Sequence, residues 1–431
     1  MRSLQIFLLS ICTSFLVQCN KFGDPLVSES YADSLIANYS TSKAAKFNND
    51  ELNFWQSRIK NNKNFDHVST QKYASQLVTR FGFTGDIQDL KDADSIVLNV
   101  EKELNNKEAY AFLTLVHYSI LQHRFLKAKE YLEKAKALGI KDLENYANTF
   151  DVEFELGNIK AAKENLEKMK DDKSYAYQFR KSKMAHYEGD LDASTSRMEE
   201  AAHLAGDNAV LQSIALSNVG DLYNHAGKLD EAFKSYKKSL KANSADLHSM
   251  MGIGMIAMMK DNNEALAEKI FKFVQSKSKS PDALYKMILL AQHKQDKNLE
   301  LKYATEFETI ASNAIYENMY HKYLIQIYTE SLKNPAKAEM LAKKELETRA
   351  TPQTYSWYAF ALMENNKLAE ANEIYNKHIK GQPLEALELY YMGRLMEASK
   401  KGYNAKEYYK AADENKYDLS PALMRDLEDR L

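Results

Sequence analysis

A pattern of small and large side chains that returns about every 34 residues is the feature that most constrains the fold of this 431-residue chain. Residues 219–240, VGDLYNHAGKLDEAFKSYKKSL, show it clearly, with Gly220 before Tyr223 in one segment and Ala232 before Tyr236 in the next. The same spacing returns in phase in residues 352–385 and 386–419, where the matching residues are Ala359, Leu362, Ala371, Tyr375, Gly393, Met396, Ala405 and Tyr409. Successive units in one phase predict a repeat architecture.

Each unit has the pattern of two amphipathic helices. Small residues such as Gly220 and Ala232 occur where the two helices must approach closely, and large ones such as Tyr236 occur where the space between successive pairs must be filled. One pair cannot bury its apolar stripe alone, so the pairs must stack on their neighbours. The chain has only 14 Gly and 6 Pro, too few turn residues for an all-β protein of this length. The sequence therefore predicts an all-α fold.

These units resemble tetratricopeptide (TPR) repeats. Residues 126–139 and 156–169 carry the second-helix pattern about one period apart. Weaker copies begin near Tyr175, Leu247, Pro281 and Glu317. The resemblance implies an α-solenoid of about nine TPR-like helical hairpins over residues 109–419. A helical N-terminal region, residues 50–108, precedes the array.

The last twelve residues, 420–431, predict a separate helix. Ser420 is a suitable N-cap and Pro421 a suitable first helical residue. Leu423, Leu427 and Leu431 then form one apolar stripe against a charged face. Because the last repeat of a solenoid exposes its stacking surface, we expect this segment to be a C-terminal capping helix.

The N-terminal segment is typical of a secreted protein. Residues 4–17 form an apolar run after Arg2, which is too short to span a bilayer comfortably and reads as a signal peptide. The run ends at Cys19, and residues 16–19 resemble the lipobox of bacterial lipoproteins, with a relaxed form familiar in Bacteroidota. We therefore expect residues 1–19 to be a lipoprotein-type signal peptide that ends at the lipidated Cys19, which becomes the new N-terminus, and we expect an outer-membrane location on the periplasmic or cell-surface side. Residues 20–49 are rich in Ser, Asn and Ala and are expected to form a flexible tether.

Catalytic and metal-binding patterns are not found in the sequence. The ten histidines are scattered, and Cys12 and Cys19 are the only cysteines. No glycine-rich phosphate loop or Gly-x-Ser-x-Gly turn occurs. The net charge of −2 does not favour nucleic acid as a partner. We predict that the protein is not an enzyme, has no cofactor or metal and no evident small-molecule substrate, and binds a protein or peptide.

The TPR resemblance implies that the first helix of each hairpin lines a concave groove. Non-core positions of the last two units carry aromatic and basic residues, the types that dominate binding hot spots. The resulting candidates for partner binding are Trp357, Phe360, Tyr390, Tyr391 and Arg394. The alternative is that these aromatics pack against adjacent helices at the closing end of the superhelix. If they bind a partner, Trp357→Ala with Tyr391→Ala should weaken binding and leave helicity nearly unchanged.

A second candidate surface is the methionine-rich segment LHSMMGIGMIAMMKD, residues 247–261. Core spacing leaves Met251 and Met255 towards the groove, and methionine suits adaptable binding surfaces. Filling of the core by these flexible side chains and a Cu(I) thioether site are the alternatives.

The leading functional hypothesis is a non-catalytic, lipid-anchored TPR scaffold that binds a protein or peptide partner in its concave groove. Two alternatives share the compartment: an outer-membrane assembly factor, and a glycan-binding lipoprotein of the SusD type. The second alternative calls for Trp-rich sugar platforms, whereas this chain has only 2 Trp.

Overall fold

The computed structural model describes residues 25–400 and 402–431, and these residues form helices and no strand. The expected all-α solenoid is confirmed. The first helices are α1 Glu29–Tyr39, α2 Lys43–Asn61, α3 His67–Thr84, α4 Ile87–Glu103, α5 Ala109–Leu121, α6 Phe125–Leu138, α7 Asp142–Glu155, α8 Ile159–Lys168, α9 Tyr175–Tyr187, α10 Leu191–Leu204, α11 Ala209–His225 and α12 Leu229–Ala242. The remainder are α13 Leu247–Met259, α14 Glu264–Lys277, α15 Asp282–His293, α16 Lys297–Ala311, α17 His321–Glu330, α18 Pro335–Leu346, α19 Pro352–Glu364, α20 Leu368–Ile374, α21 Ala386–Ala398, α22 Gly402–Asp413 and α23 Pro421–Arg430.

Helices α5 to α22 pair in sequence, α5 with α6 and so on to α21 with α22, which makes nine hairpins within the described residues. The expected starting points agree with the helices: α9 begins at Tyr175, α13 at Leu247 and α15 directly after Pro281. The weakest copy is displaced, since α17 begins at His321 rather than near Glu317. Helix α20 continues into a π-helical turn, Tyr375–Ile379.

The small and large residues of the repeat meet as expected. A Cβ atom added to Gly220 would lie 2.4 Å from the ring of Tyr236, and one added to Gly252 of the next hairpin would also lie 2.4 Å from that ring. Tyr236 therefore fits between two hairpins because both facing residues lack a side chain. Gly393 and Tyr409 repeat the arrangement near the end of the array, again at 2.4 Å. The spacing of small and large side chains in residues 219–240 therefore allows successive hairpins to stack closely.

The superhelix closes on itself after one turn. The Lys279 amide donates to the carbonyl of Thr84 at 2.7 Å, and Arg349 pairs with Glu155 at 3.0 Å. His186 lies 3.8 Å from Glu385 in a third contact of the same kind. These partners are roughly 195 residues apart, between five and six TPR periods. Each turn of the solenoid thus rests on the previous one, and its concave face becomes an interior.

The segment expected to be a flexible tether is largely ordered, which corrects the expectation for residues 25–49. Helix α1 packs on α14, with Val27, Ala32 and Leu35 buried. The amides of Leu26 and Val27 donate to the Asp261 carboxylate at 2.9 and 2.8 Å. Ala32 and Leu35 recur at helical spacing, and the many Ser and Asn residues around them conceal this weak apolar stripe. Cys19 and the signal segment lie outside the described residues.

The C-terminal helix α23 begins as expected, with Ser420 as N-cap and Pro421 in the first turn. Its position differs from that of a simple end cap. Although α23 touches α22, it lies mainly against α15, where Arg425 donates to the carbonyl of Gln292 at 2.8 Å. Leu427 is fully buried there. The curvature of the solenoid brings α15 within reach, so α23 fills part of the concave interior.

Candidate functional site

A cavity of about 400 Å³ lies on the concave face of the superhelix. The inner helices α9, α11, α13, α15 and α17 each contribute to its wall, and residues 385–387 and 417–420 close one side. The volume falls within the range of known ligand pockets. Successive hairpins place their first helices side by side, so one polar residue from each reaches the same space. Of the charged side chains that line it, we call Asp221, His248 and Lys286 its basic end and Lys322, Glu385 and Asp418 its acidic end.

The first end of the cavity is basic. His248 pairs with Asp221 at 2.8 Å, and Tyr236 donates to the same carboxylate at 2.7 Å. The Asp221 charge raises the pKa of His248 to about 9, so this imidazole is protonated at neutral pH. Burial would raise the pKa of Asp221, but the His248 charge together with the hydrogen bonds from His248 and Tyr236 holds that pKa below its usual value. The pair is therefore a formed ion pair.

Lys286 adds an uncompensated positive charge to the basic end. Among the described residues, no carboxylate oxygen lies within 4.0 Å of its ammonium group. Burial lowers the pKa of Lys286, while Asp221 and Asp282 oppose this from a distance. A cation held in a cavity without a partner is the group that an incoming anion would pair with.

The second of these groups is acidic. Glu385 lies 3.8 Å from His186, and Asp418 lies 3.2 Å from His225. Burial lowers the pKa of His186 and raises the pKa of Asp418. Burial thus favours the neutral forms of His186 and Asp418, whereas the positive charges around Glu385, with Lys322 first among them, oppose burial and hold the pKa of Glu385 below its usual value.

Lys322 belongs to this acidic end. Burial alone would lower its pKa, but attraction to Glu385 and Glu388 outweighs burial and raises it. Its ammonium also lies 5.8 Å from the centre of the Trp357 ring. Like Lys286, Lys322 has no carboxylate oxygen within 4.0 Å among the described residues, but the charges of Glu385 and Glu388 raise its pKa, whereas burial lowers the pKa of Lys286.

The aromatic residues expected to bind a partner are core residues, which corrects that prediction. Tyr390 is 0% exposed and Tyr391 is 1% exposed, and Trp357 and Phe360 are also buried. Phe360 stacks on Tyr391 with ring centres 3.9 Å apart, and the Trp357 indole donates to Glu388 at 2.7 Å.

The reason is that the stacked hairpins cover these side chains, and helix α23 also contacts Tyr390. Tyr390 donates to Asp426 of α23. Arg394, also expected to contact a partner, instead donates to the Tyr390 hydroxyl at 3.2 Å and pairs with Glu364 at 3.6 Å. The packing alternative weighed for the aromatics is the one that agrees with their burial.

Met251 and Met255 both line the cavity from α13, Met251 buried and Met255 half-buried. Their participation in binding stays a prediction. Within the described ranges, no group of three or more His, Cys, Asp or Glu residues is placed to hold a metal ion.

Sequence reasoning missed Lys286, Lys322 and Glu385. The binding candidates from the sequence were aromatic residues, methionines and Arg394, and no other charged residue of an inner helix was among them. One signal was available, because Lys286 interrupts the apolar helix DALYKMILLAQH of α15. A lysine among buried residues of an inner helix is costly unless it has a function or a partner.

Comparisons with known proteins concern the fold. No protein-family model matches the sequence, and no curated protein matches it. Among solved structures, PilF of Pseudomonas aeruginosa is 16% identical over 50% of this chain and 97% of that one, with a TM-score of 0.37. A TPR protein from Parabacteroides merdae is 17% identical over 59% of this chain and 98% of that one, with a TM-score of 0.35.

The Rap protein in complex with competence and sporulation factor is 12% identical over 90% of this chain and 100% of that one, with a TM-score of 0.46. These likenesses concern helical-repeat architecture alone. No helix within residues 25–400 and 402–431 is long and apolar enough to cross a membrane.

Proposed function

We propose that this protein is a non-catalytic TPR scaffold that binds a short peptide segment of a protein partner inside the concave cavity. The observation that carries the proposal is the convergence of polar side chains from five inner helices on one space that contains an unpaired lysine. Repeat proteins use their concave surfaces for extended ligands because each repeat offers an equivalent position. A peptide suits such a series of positions because its backbone also repeats from residue to residue.

The charges give the ligand a direction. An acidic side chain or a terminal carboxylate would pair with Lys286 beside His248, while a basic side chain or a terminal amine would lie near Glu385 and Asp418. Met251 and Met255 add an apolar part to the cavity wall. The proposed ligand is therefore a short segment with a negative charge at one end and a positive charge at the other.

Retention of a defined peptide mixture tests the proposal. The full chain is incubated with an equimolar mixture of synthetic hexapeptides of varied charge, and bound peptides are identified by mass spectrometry after gel filtration. We expect retention of peptides that carry an acidic and a basic group. Lys286→Met should weaken their binding roughly ten- to hundredfold, the effect of losing one charge-assisted hydrogen bond.

Lys343→Met is the matched control, since Lys343 is an exposed lysine of α18. It should bind the same peptides as the unmodified chain. Retention of no peptide would contradict the proposed function. Equal binding by the Lys286 and Lys343 variants would place the site outside this cavity.

We also propose that the protein is a lipoprotein of the outer membrane, acylated at Cys19. The support is the lipobox-like sequence that ends the apolar N-terminal run. Metabolic labelling with a clickable fatty acid tests it, and Cys12→Ser provides the control. Label should enter the unmodified chain and the Cys12 variant and be lost in Cys19→Ser. Label that persists in Cys19→Ser would exclude this anchor.

A further inference from the structure

The tip of the α2–α3 hairpin, residues 54–72, exposes large apolar side chains. Phe54 is 52% exposed, Phe65 is 50% exposed and Val68 is 53% exposed. In the described part of the chain, the phenylalanines with large exposure are these two and Phe47, which lies two helical turns before Phe54. The other exposed large apolar residues among those described are leucines, isoleucines, one methionine and one tyrosine, spread from Leu98 to Leu431. This tip is therefore the unusual surface.

The tip belongs to the first unit of the solenoid. Helix α2 packs against α3, whereas α1 lies against α14 and leaves the outer side of α2 uncovered. In repeat arrays such a terminal face has to be polar to keep the protein soluble. Here it carries phenylalanines instead, so it is suited to contact something else.

Basic residues surround these aromatics. Residues 54–72 contain Arg58, Lys60, Lys63 and Lys72 against one acidic residue, Asp66, while Glu51 of the preceding turn accepts a hydrogen bond from the Trp55 indole at 2.8 Å. Asp66 is already engaged, because it caps α3 and lies 3.7 Å from Arg58. The tip is thus locally cationic in a chain whose net charge is −2.

We propose that this tip docks on an anionic phospholipid surface, a role beyond peptide binding. Aromatic side chains favour the level of the lipid headgroups, where an apolar ring and a polar surrounding are both available. Juxtamembrane lysines and arginines are attracted to anionic lipids. A second copy of the chain fits less well, since the two tips would bring like charges together.

The position of Trp55 makes the proposal measurable. Its ring lies 4.8 Å from that of Phe54, whereas Trp357, the chain's other tryptophan, is buried. The full chain is reconstituted in nanodiscs that contain brominated phospholipids, with either anionic or neutral headgroups. We expect quenching of tryptophan fluorescence in the anionic discs and much less in the neutral discs. Trp55→Phe should remove the quenching, because Trp357 cannot reach the lipid.

Variants with reversed charge test whether the basic residues of the tip are attracted to the anionic headgroups. Lys60→Glu with Lys63→Glu should reduce quenching to the level of the neutral discs. Lys343→Glu with Lys344→Glu, on the exposed face of α18, should leave it unchanged. Absence of quenching, or equal quenching in both discs and in both variants, would overturn the proposal. A blue shift of Trp55 emission without quenching by brominated lipid would also overturn it, in favour of contact with another protein.

Discussion

The concave face of this superhelix has two regions with opposite character. Over α9 to α17 its inner positions carry polar side chains such as Asp221, His248 and Lys286, and a cavity of about 400 Å³ remains there. Over α19 to α21 the inner positions carry Trp357 and Tyr391, which are buried against Glu388 and Phe360, and the cavity beside Trp357 is smaller, about 170 Å³. The aromatic part of the concave face is therefore packed against other residues of the same chain.

The difference teaches that a hot-spot composition does not identify a free surface. Large aromatic side chains gain the most free energy when they are removed from water. In a closed solenoid, other parts of the same chain already bury them, so no partner is needed. Charged side chains cost free energy when buried without partners. The polar part of the interior therefore stays open, and the open part is where a ligand can bind.

The largest expected loss of stability comes from two substitutions in the aromatic region. Trp357→Ala with Tyr391→Ala should lower the free energy of unfolding by ~5 kcal/mol or more, because each truncation leaves a cavity in a packed core. Thermal unfolding followed by circular dichroism measures this. Tyr391→Phe conserves the ring and should cost less than ~1.5 kcal/mol. A double variant that keeps its stability and loses only binding would restore these aromatics as a recognition surface.

A second variant tests whether α23 is an integral part of the filled region. Leu427 is fully buried and Leu431 is 50% exposed, so the two leucines of one helix form a matched pair. Leu427→Ala should destabilise the docking of α23 by ~2–5 kcal/mol, and Leu431→Ala should have little effect. Hydrogen exchange should then rise in α23 and in the facing part of α15. Unchanged exchange in both helices would mean that α23 contributes little to the closed interior.

How much of this could be predicted from the sequence depends on whether a contact lies within neighbouring repeats. Gly220 and Tyr236 belong to one hairpin, and their contact was visible in the 34-residue period. The burial of Tyr390 depends on Asp426 of α23, and the acidic end of the cavity depends on His225 meeting Asp418. Such contacts arise from superhelical closure, which the period of the repeat does not specify. Aromatic groove and aromatic core therefore look alike in sequence.

The free energy of unfolding should depend on pH through Glu330, which lies where the two regions meet. Glu330 of α17 accepts a hydrogen bond from Ser420 at 2.6 Å, and burial raises the pKa of its carboxyl from 4.5 to about 7. Because the folded state binds this proton more tightly, the stabilisation is present below pH 4.5 and is lost as pH rises through 7. The loss is on the order of 3 kcal/mol. Glu330→Gln should remove that part of the pH dependence.

Chemical denaturation at a series of pH values between 4 and about 8 measures the effect, a range that brackets the shift. Glu347→Gln, at an exposed position after α18, is the control and should leave the profile unchanged. Parallel pH profiles for the unmodified chain and the Glu330 variant would show that this carboxyl is not held in its protonated form by the fold.

The smallest expected effect concerns the open region. Lys286 has its pKa lowered by burial, so its charge opposes folding at neutral pH. Lys286→Met should therefore leave stability unchanged or raise it by about 1 kcal/mol. Thermal unfolding tests this alongside peptide retention. A marked loss of stability would show that the lysine holds the fold together and is not reserved for a ligand.

Hydrogen exchange in the presence of a retained peptide tests the central claim most directly, since it compares the two regions in one experiment. The account predicts added protection along α9, α11, α13 and α15, whose side chains line the cavity. It predicts no added protection along α19 and the part of α21 that carries Tyr390 and Tyr391, which are already covered. Protection confined to α19 and α21 would contradict the account and place the binding site at the aromatic end.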